Sequence, residues 1–273
     1  MLIWIGVAIA GGLIGLLFYD VLMDLAAEWW TQSEASYGIL IPPFTFYVIY
    51  LQRRQIFSRA ALPDLRGLSL IGLACCTFLT GRLSSEFFLT RVSFVVLLGG
   101  LVWTFWGVGR LRAMAFPLVL LSTMVPPPAL IYNAAAAPLQ LFASGVATDL
   151  AQRVGVSIYR DGNIIHLATT SLGVAEACSG LRSLSALMVA ALLLGFLEQA
   201  SFWGRVSVFI LSIPLAIAIN VFRVTGTAVL ADYRPELALG YYHSFSGWLV
   251  FVLGFGMLWL MAKAVFRFTG PPS

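Results

Sequence analysis

Charge is what this sequence has least of. Only 10% of its 273 residues are Asp, Glu, Lys or Arg, whereas soluble globular domains carry about 25%. A water-soluble domain is thereby excluded. Cysteine is scarce as well: there are three, an odd number, so no disulfide framework can use them all. Cys75 and Cys76 adjoin inside the apolar stretch "LIGLACCTFLT" and read as small packing residues. Cys178 is left without an obvious partner. Histidine is limited to two residues. No metal-ligand spacing, glycine-rich phosphate loop, low-complexity segment or internal repeat is present, so neither a metal nor another cofactor is expected. A net charge of +4 and a pI of about 9.1 are too mild to imply a nucleic-acid partner and describe membrane topology better.

Apolar sequence is what the chain has in abundance, with 60% hydrophobic residues and a mean hydropathy of +0.93. A bilayer core takes roughly 20 apolar residues per helix. Such runs recur from end to end, which predicts an all-α polytopic membrane protein. About eight spans fit, near 2–19, 37–51, 68–81, 92–107, 113–131, 181–197, 206–230 and 246–264. The first run, "LIWIGVAIAGGLIGLLFY", lacks a basic lead and a small-residue cleavage site, and reads as an uncleaved span rather than a secretory signal. One set of loops and ends then holds Arg53, Arg54, Arg59, Arg66, Arg110, Arg112, Arg205, Lys263 and Arg267. The opposite set holds Arg82, Arg91, Arg153, Arg160, Arg182 and Arg234, together with most of the carboxylates. Because Lys and Arg favour the cytoplasmic side, both termini are expected in the cytoplasm.

The longest outward segment is then 126–180. It opens with "PPP" (126–128), which ends a helix because proline has no N–H to donate. Residues 133–155 are helical in pattern and are expected to be broken by Pro138 and to lie at the membrane surface. The stretch "VSIYRDGNIIHLA" (156–168) reads as two short strands around Asp161-Gly162, a favoured hairpin pair. Within a single domain spanning 1–273, residues 133–177 thus form an extracytoplasmic insert of surface helix and β-hairpin cap, immediately ahead of Cys178.

Three residues on this outer side carry reactive chemistry. Cys178, in "EACSGLRSL", precedes the sixth span, where unpaired N–H groups and the helix dipole favour a thiolate. Ser179 and Gly180 keep its surroundings small. Arg223 lies inside the seventh span, about 12 Å below its outer end at 1.5 Å per residue, and an arginine within a span marks a functional site by default. Asn220 is three residues earlier on the same helical face. His243 sits at the outer start of the last span, in "YYHSFSGW". The other histidine, His166, projects from the hairpin without a neighbouring arginine-bearing span. A thiolate, an imidazole and a guanidinium make an acyl-transfer set: nucleophile, general acid/base and oxyanion stabiliser. Arg182, four residues after Cys178, is the second candidate for the last role.

These residues resemble the exosortases and the related archaeosortases. The likeness rests on "VAEACSGLRSL" (174–184), "IPLAIAINVFR" (213–223) and "HSFSGW" (243–248), with support from "GVSIYRDGNIIHL" (155–167) and "FPLVLLSTMVPPP" (116–128). The resemblance implies a polytopic inner-membrane cysteine transpeptidase whose active site faces outward. It places the family's Cys, Arg and His on Cys178, Arg223 and His243. It implies as partners secreted proteins with a C-terminal sorting signal: a short motif such as Pro-Glu-Pro, a transmembrane helix, then basic residues. It also implies a cell-surface acceptor, lipid- or glycan-linked. Where the family often has Ser-His-Gly before the second span, this chain has Ser36-Tyr37-Gly38, so no role for that histidine carries over. No extra soluble domain of the kind some relatives append is expected after the eighth span.

The expected function is therefore a membrane-embedded cysteine protease-transpeptidase that passes its substrate through a thioester. The rival is a transporter or flippase for a lipid-linked glycan, in which Arg223 and Arg182 would bind phosphate and Cys178 would be inert. Transporters often carry charge at the midplane and inverted repeats; neither is visible here.

Overall fold

Inside a bilayer no water is available to satisfy backbone N–H and C=O groups, so an apolar chain must satisfy them itself, as helix. The computed structural model, which describes residues 2–168, 170–174, 181–198, 201–234, 236 and 241–269, is accordingly dominated by helices. The chain divides into two compact units, Met1–Pro128 and Ala129–Ser273.

The first unit contains α1 (Leu2–Thr31), a 3-10 turn (Ser36–Leu40), α2 (Ile41–Ser58), α3 (Gly67–Leu83), α4 (Phe87–Trp106) and two short helices, α5 (Val108–Ala113) and α6 (Ala115–Ser122). Helix α1 runs well past the span expected at 2–19. Phe18, Val21 and Leu25 recur at helical spacing and are buried, so the apolar face continues although Asp20 and Asp24 lie on the exposed side. Phe18 and Val21 meet Ala74 of α3 and Leu97 of α4. The same α3 surface corrects one sequence expectation: Cys75 and Cys76 are exposed, and it is Ala74 that packs.

Two features tie the ends of this unit. Glu28 of α1 pairs with Arg91 of α4, and both side chains are largely buried. Removing one partner of such a pair leaves an uncompensated charge, at a cost of about 3–5 kcal/mol. Glu28→Gln is therefore expected to lower the thermal unfolding midpoint in detergent, while Glu28→Leu combined with Arg91→Leu restores most of the loss. At the other end, Asp64 accepts from the backbone N–H of Arg66 (2.9 Å) and from Trp103 Nε1 (3.0 Å), and these bonds hold its carboxyl below the ordinary 3.8. The loop bearing Asp64 approaches so closely that a Cβ on Gly107 would collide with the Leu62 carbonyl oxygen; Gly107 also has φ +87°, where a side chain is strained.

The expected fifth span, 113–131, is not one helix. Residues 108–122 form α5 and α6, a turn follows, and a new helix starts after the three prolines. That helix, α7 (Ala129–Arg153), opens the second unit and runs through Pro138 without a break, contrary to expectation. An interior proline forfeits one donor and crowds the carbonyl four residues before it, a local cost that the rest of α7 absorbs, and Pro138 sits on the exposed side. The cap also exceeds a hairpin: β1 (Ile158–Asp161), β2 (Ile164–Leu167) and β3 (Ser171–Gly173) form an antiparallel sheet in the order β1-β2-β3. Three further helices complete the unit: α8 (Leu181–Glu198), α9 (Phe202–Tyr233) and α10 (Tyr241–Thr269).

By length and apolarity four helical segments among the described residues can cross a membrane: α4, α7, α9 and the part of α10 from Phe245 to Phe268. Shorter apolar segments occupy Gly67–Leu83 and Ser183–Glu198. The chain is thus a mostly helical, multi-pass membrane protein with a small sheet, and the count of eight spans is not established by length and apolarity.

Candidate active site

Helix α9 organises the second unit because it is buried on two sides. Its first part, through Val208, Leu215 and Ile219, packs on Leu187 of α8 and Leu258 of α10. Its last part, through Val224, Ala228 and Ala231, packs on Ala147 and Ala151 of α7 and on the sheet residues Ile165 and Leu172. The alanines let the α7 backbone approach closely, and two independent contacts fix the helix in rotation as well as in depth.

That rotation decides where Arg223 points. Its side chain is half-buried, and its guanidinium lies against Gly247 of α10. A Cβ built on Gly247 would stand 3.2 Å from Nη2 and 3.4 Å from Cζ of Arg223. The glycine leaves a notch, and the guanidinium occupies it. Gly247 is four residues, or one helical turn, after His243. Arg223 is ten residues before the end of α9 at Tyr233, about 15 Å at 1.5 Å per residue. The Arg223 backbone carbonyl accepts from Thr227 Oγ1 at 2.9 Å, and Ser246 beside the notch is buried.

Asn220 follows a different course from its neighbour three residues on. It is buried, and it lines a small cavity of about 10 Å³ with Leu139, Ala143, Leu184, Ala216 and Ile217, in the seam of α7, α8 and α9. Its Oδ1 accepts no hydrogen bond among the described residues. A buried amide oxygen left so costs about 1–3 kcal/mol. Asn220 and Arg223 therefore serve different seams, although helical spacing puts them on neighbouring faces.

Cys178, Ser179 and Gly180 lie outside the described residues. Arg182 and His243 are placed by backbone in the first turns of α8 and α10 respectively. His166 makes its contacts within the sheet: its Nδ1 is 2.8 Å from Ser171 Oγ, and its ring stacks on Tyr159 at a centroid separation of 6.1 Å. Sequence reasoning missed Gly247. The available signal was a glycine one turn after a histidine at the start of a span. Gly38, in the variant Ser-Tyr-Gly, packs under the Trp29 indole, which donates to the Met124 carbonyl oxygen (3.0 Å). Among the described residues no group of His, Cys, Asp and Glu is arranged to hold a metal ion.

What this arrangement can do chemically is stabilise negative charge. A guanidinium in a partly buried notch between two apolar helices acts where the effective dielectric is low, and there a fixed cation interacts strongly with a developing oxyanion. No curated protein and no solved structure is matched by the chain. The family model of the transmembrane exosortases matches residues 29–260.

Proposed function

The chain belongs to the transmembrane exosortases, and from that premise we propose that it is a cysteine protease-transpeptidase acting on the C-terminal sorting signals of secreted proteins. In this reading the Cys178 thiolate attacks the scissile carbonyl carbon, and the oxygen becomes an oxyanion facing Arg223. The tetrahedral intermediate collapses with cleavage of the C–N bond. The departing amine takes a proton from the His243 imidazolium, and the new C-terminus remains as a thioester on Cys178. An acceptor nucleophile, or water, then gives a proton to His243 and releases the thiolate.

The observation that carries this reading is the seating of the Arg223 guanidinium against Gly247, one turn from His243. Ser179 and Gly180 support the site, Asn220 faces the separate seam of α7, α8 and α9, and Arg182 is the alternative oxyanion partner. The topology that suits it has eight crossings, with α5 and α6 together making the fifth and with α7 and the sheet outside. Both termini are then cytoplasmic, in a bacterial inner membrane. The substrate's own transmembrane segment would bring it to the site by lateral diffusion, with its basic tail on the cytoplasmic side.

The test is to trap the acyl-enzyme. Incubation of the purified enzyme with a labelled sorting-signal peptide, followed by acid quenching, is expected to leave label on the Cys178 peptide, released by neutral hydroxylamine. Label on no residue, or label that resists hydroxylamine, would exclude a thioester.

A further inference from the structure

The two edges of the small sheet are unlike. On β1, the Ile158 carbonyl oxygen accepts from Gln152 Nε2 at 3.0 Å, and the strand lies along α7. That edge lies against its own domain. On the other side, β3 pairs with β2 in the register Ile164–Gly173, Ile165–Leu172 and His166–Ser171. Leu167 N donates to Thr170 O (2.8 Å) and Val174 N to Asn163 O (2.9 Å). Residues of an antiparallel strand alternate between facing the partner and facing away. Thr170, Leu172 and Val174 therefore turn their N–H and C=O groups toward β2, and Ser171 and Gly173 turn theirs outward. Among the described residues nothing bonds those outward groups.

The faces are unlike too. Leu172 is buried in the core with Ile165. Ser171 is exposed and ends a cross-strand row of Tyr159, His166 and Ser171, set by the two registers. Gly173 stands five residues before Cys178 in the chain, a reach of at most about 18 Å.

Resting on the reading of Cys178 as the nucleophile, we propose that the free edge of β3 seats the extended segment of the substrate polypeptide beside its scissile bond, as a fourth strand. The N–H groups of Ser171 and Gly173 donate to two substrate carbonyls, and their C=O groups accept from two substrate amides. A strand advances about 3.3 Å per residue, so the docked segment lies within about five residues of the bond attacked. Main-chain pairing is indifferent to most side chains. The residues opposite Ser171 and Gly173 meet only a hydroxymethyl group and a hydrogen, whereas β1 lies along α7. This is strand addition, with the enzyme supplying the template.

The probe is a synthetic peptide carrying a Pro-Glu-Pro sorting signal and its flanking residues, with each non-proline amide near the scissile bond N-methylated in turn. Binding is measured on the full-length Cys178→Ala enzyme, so that affinity is separated from chemistry. The expected result has a period of two: Kd rises at least tenfold at alternate positions and changes less than twofold between them. Ser171→Pro, which removes an edge N–H, is expected to weaken the parent peptide tenfold, and Ser171→Ala to leave it unchanged. A Kd indifferent to N-methylation, a uniform loss at every position, or no binding of the parent peptide overturns the proposal. The two readings fail separately. An aperiodic scan alongside wild-type cleavage through a thioester removes the edge and leaves the nucleophile. A periodic scan alongside cleavage by Cys178→Ala removes the nucleophile and leaves the edge.

Discussion

Cells making Cys178→Ala in place of the wild-type chain are expected to stop processing a tagged sorting-signal protein, with the rate falling at least about a thousandfold, as loss of a covalent nucleophile does in other acyl-transfer enzymes. The unprocessed protein should accumulate in the membrane with its C-terminal segment attached, read as a mobility shift on immunoblots. Cys178→Ser is expected to behave almost alike, because a serine hydroxyl at its ordinary pKa is a poor nucleophile without a strong base beside it. The same pair of variants separates the transporter reading. Transport of a lipid-linked glycan needs no thiol and should persist in Cys178→Ser. Normal processing in either variant ends the case for thiol catalysis.

The second large effect concerns the notch between α9 and α10. Arg223→Lys keeps the charge but replaces a planar, multiply donating fork by a point charge. Removing an oxyanion donor typically costs about 10²–10³ in turnover. The loss should fall on kcat, with KM changed less than twofold, because the interaction strengthens only as the oxyanion forms. Gly247→Leu tests the same contact from the other helix. Its Cβ would stand 3.2 Å from Arg223 Nη2, and the branched remainder of the side chain must then occupy the guanidinium's place. It is expected to lower kcat nearly as far as Arg223→Lys. Gly247→Ala, which asks the guanidinium to give by only a few tenths of an ångström, is expected to lose tenfold or less. Cys178 labelling by a small thiol reagent should be unchanged in all three, which separates a displaced cation from a disrupted fold. Equal activity of Gly247→Leu and wild type would detach Arg223 from the chemistry.

The helical class was legible because bilayer burial acts on composition, and composition is a property of each segment taken alone. Six of the expected spans coincide with helices that differ from them mainly in length: α2, α3, α4, α8, α9 and α10. The exceptions have local causes. Helix α1 continues beyond Tyr19 because Val21 and Leu25 extend its buried face past the first carboxylate. Helix α7 continues through Pro138, whose lost bond and crowding of the preceding turn stay local and whose ring lies on an exposed face. The third strand escaped notice because three residues are too few to show an alternation. Cys75 and Cys76 were misplaced for a related reason: hydropathy separates lipid-like from watery sequence, but not the packed side of a helix from its exposed side.

By itself the sequence determined that the chain is a multi-pass helical membrane protein, that it belongs with the exosortases, and which residue types are available for acyl transfer. Tertiary structure alone decided what those residues face. Arg223 turns toward Gly247, and Asn220 toward the α7–α8 seam, because alanines of α7 and leucines of α8 and α10 hold α9 at one rotation. Those contacts join segments from Ala147 to Leu258. The angle at which a helix settles is a property of all its packed neighbours together, and no single stretch of sequence contains it.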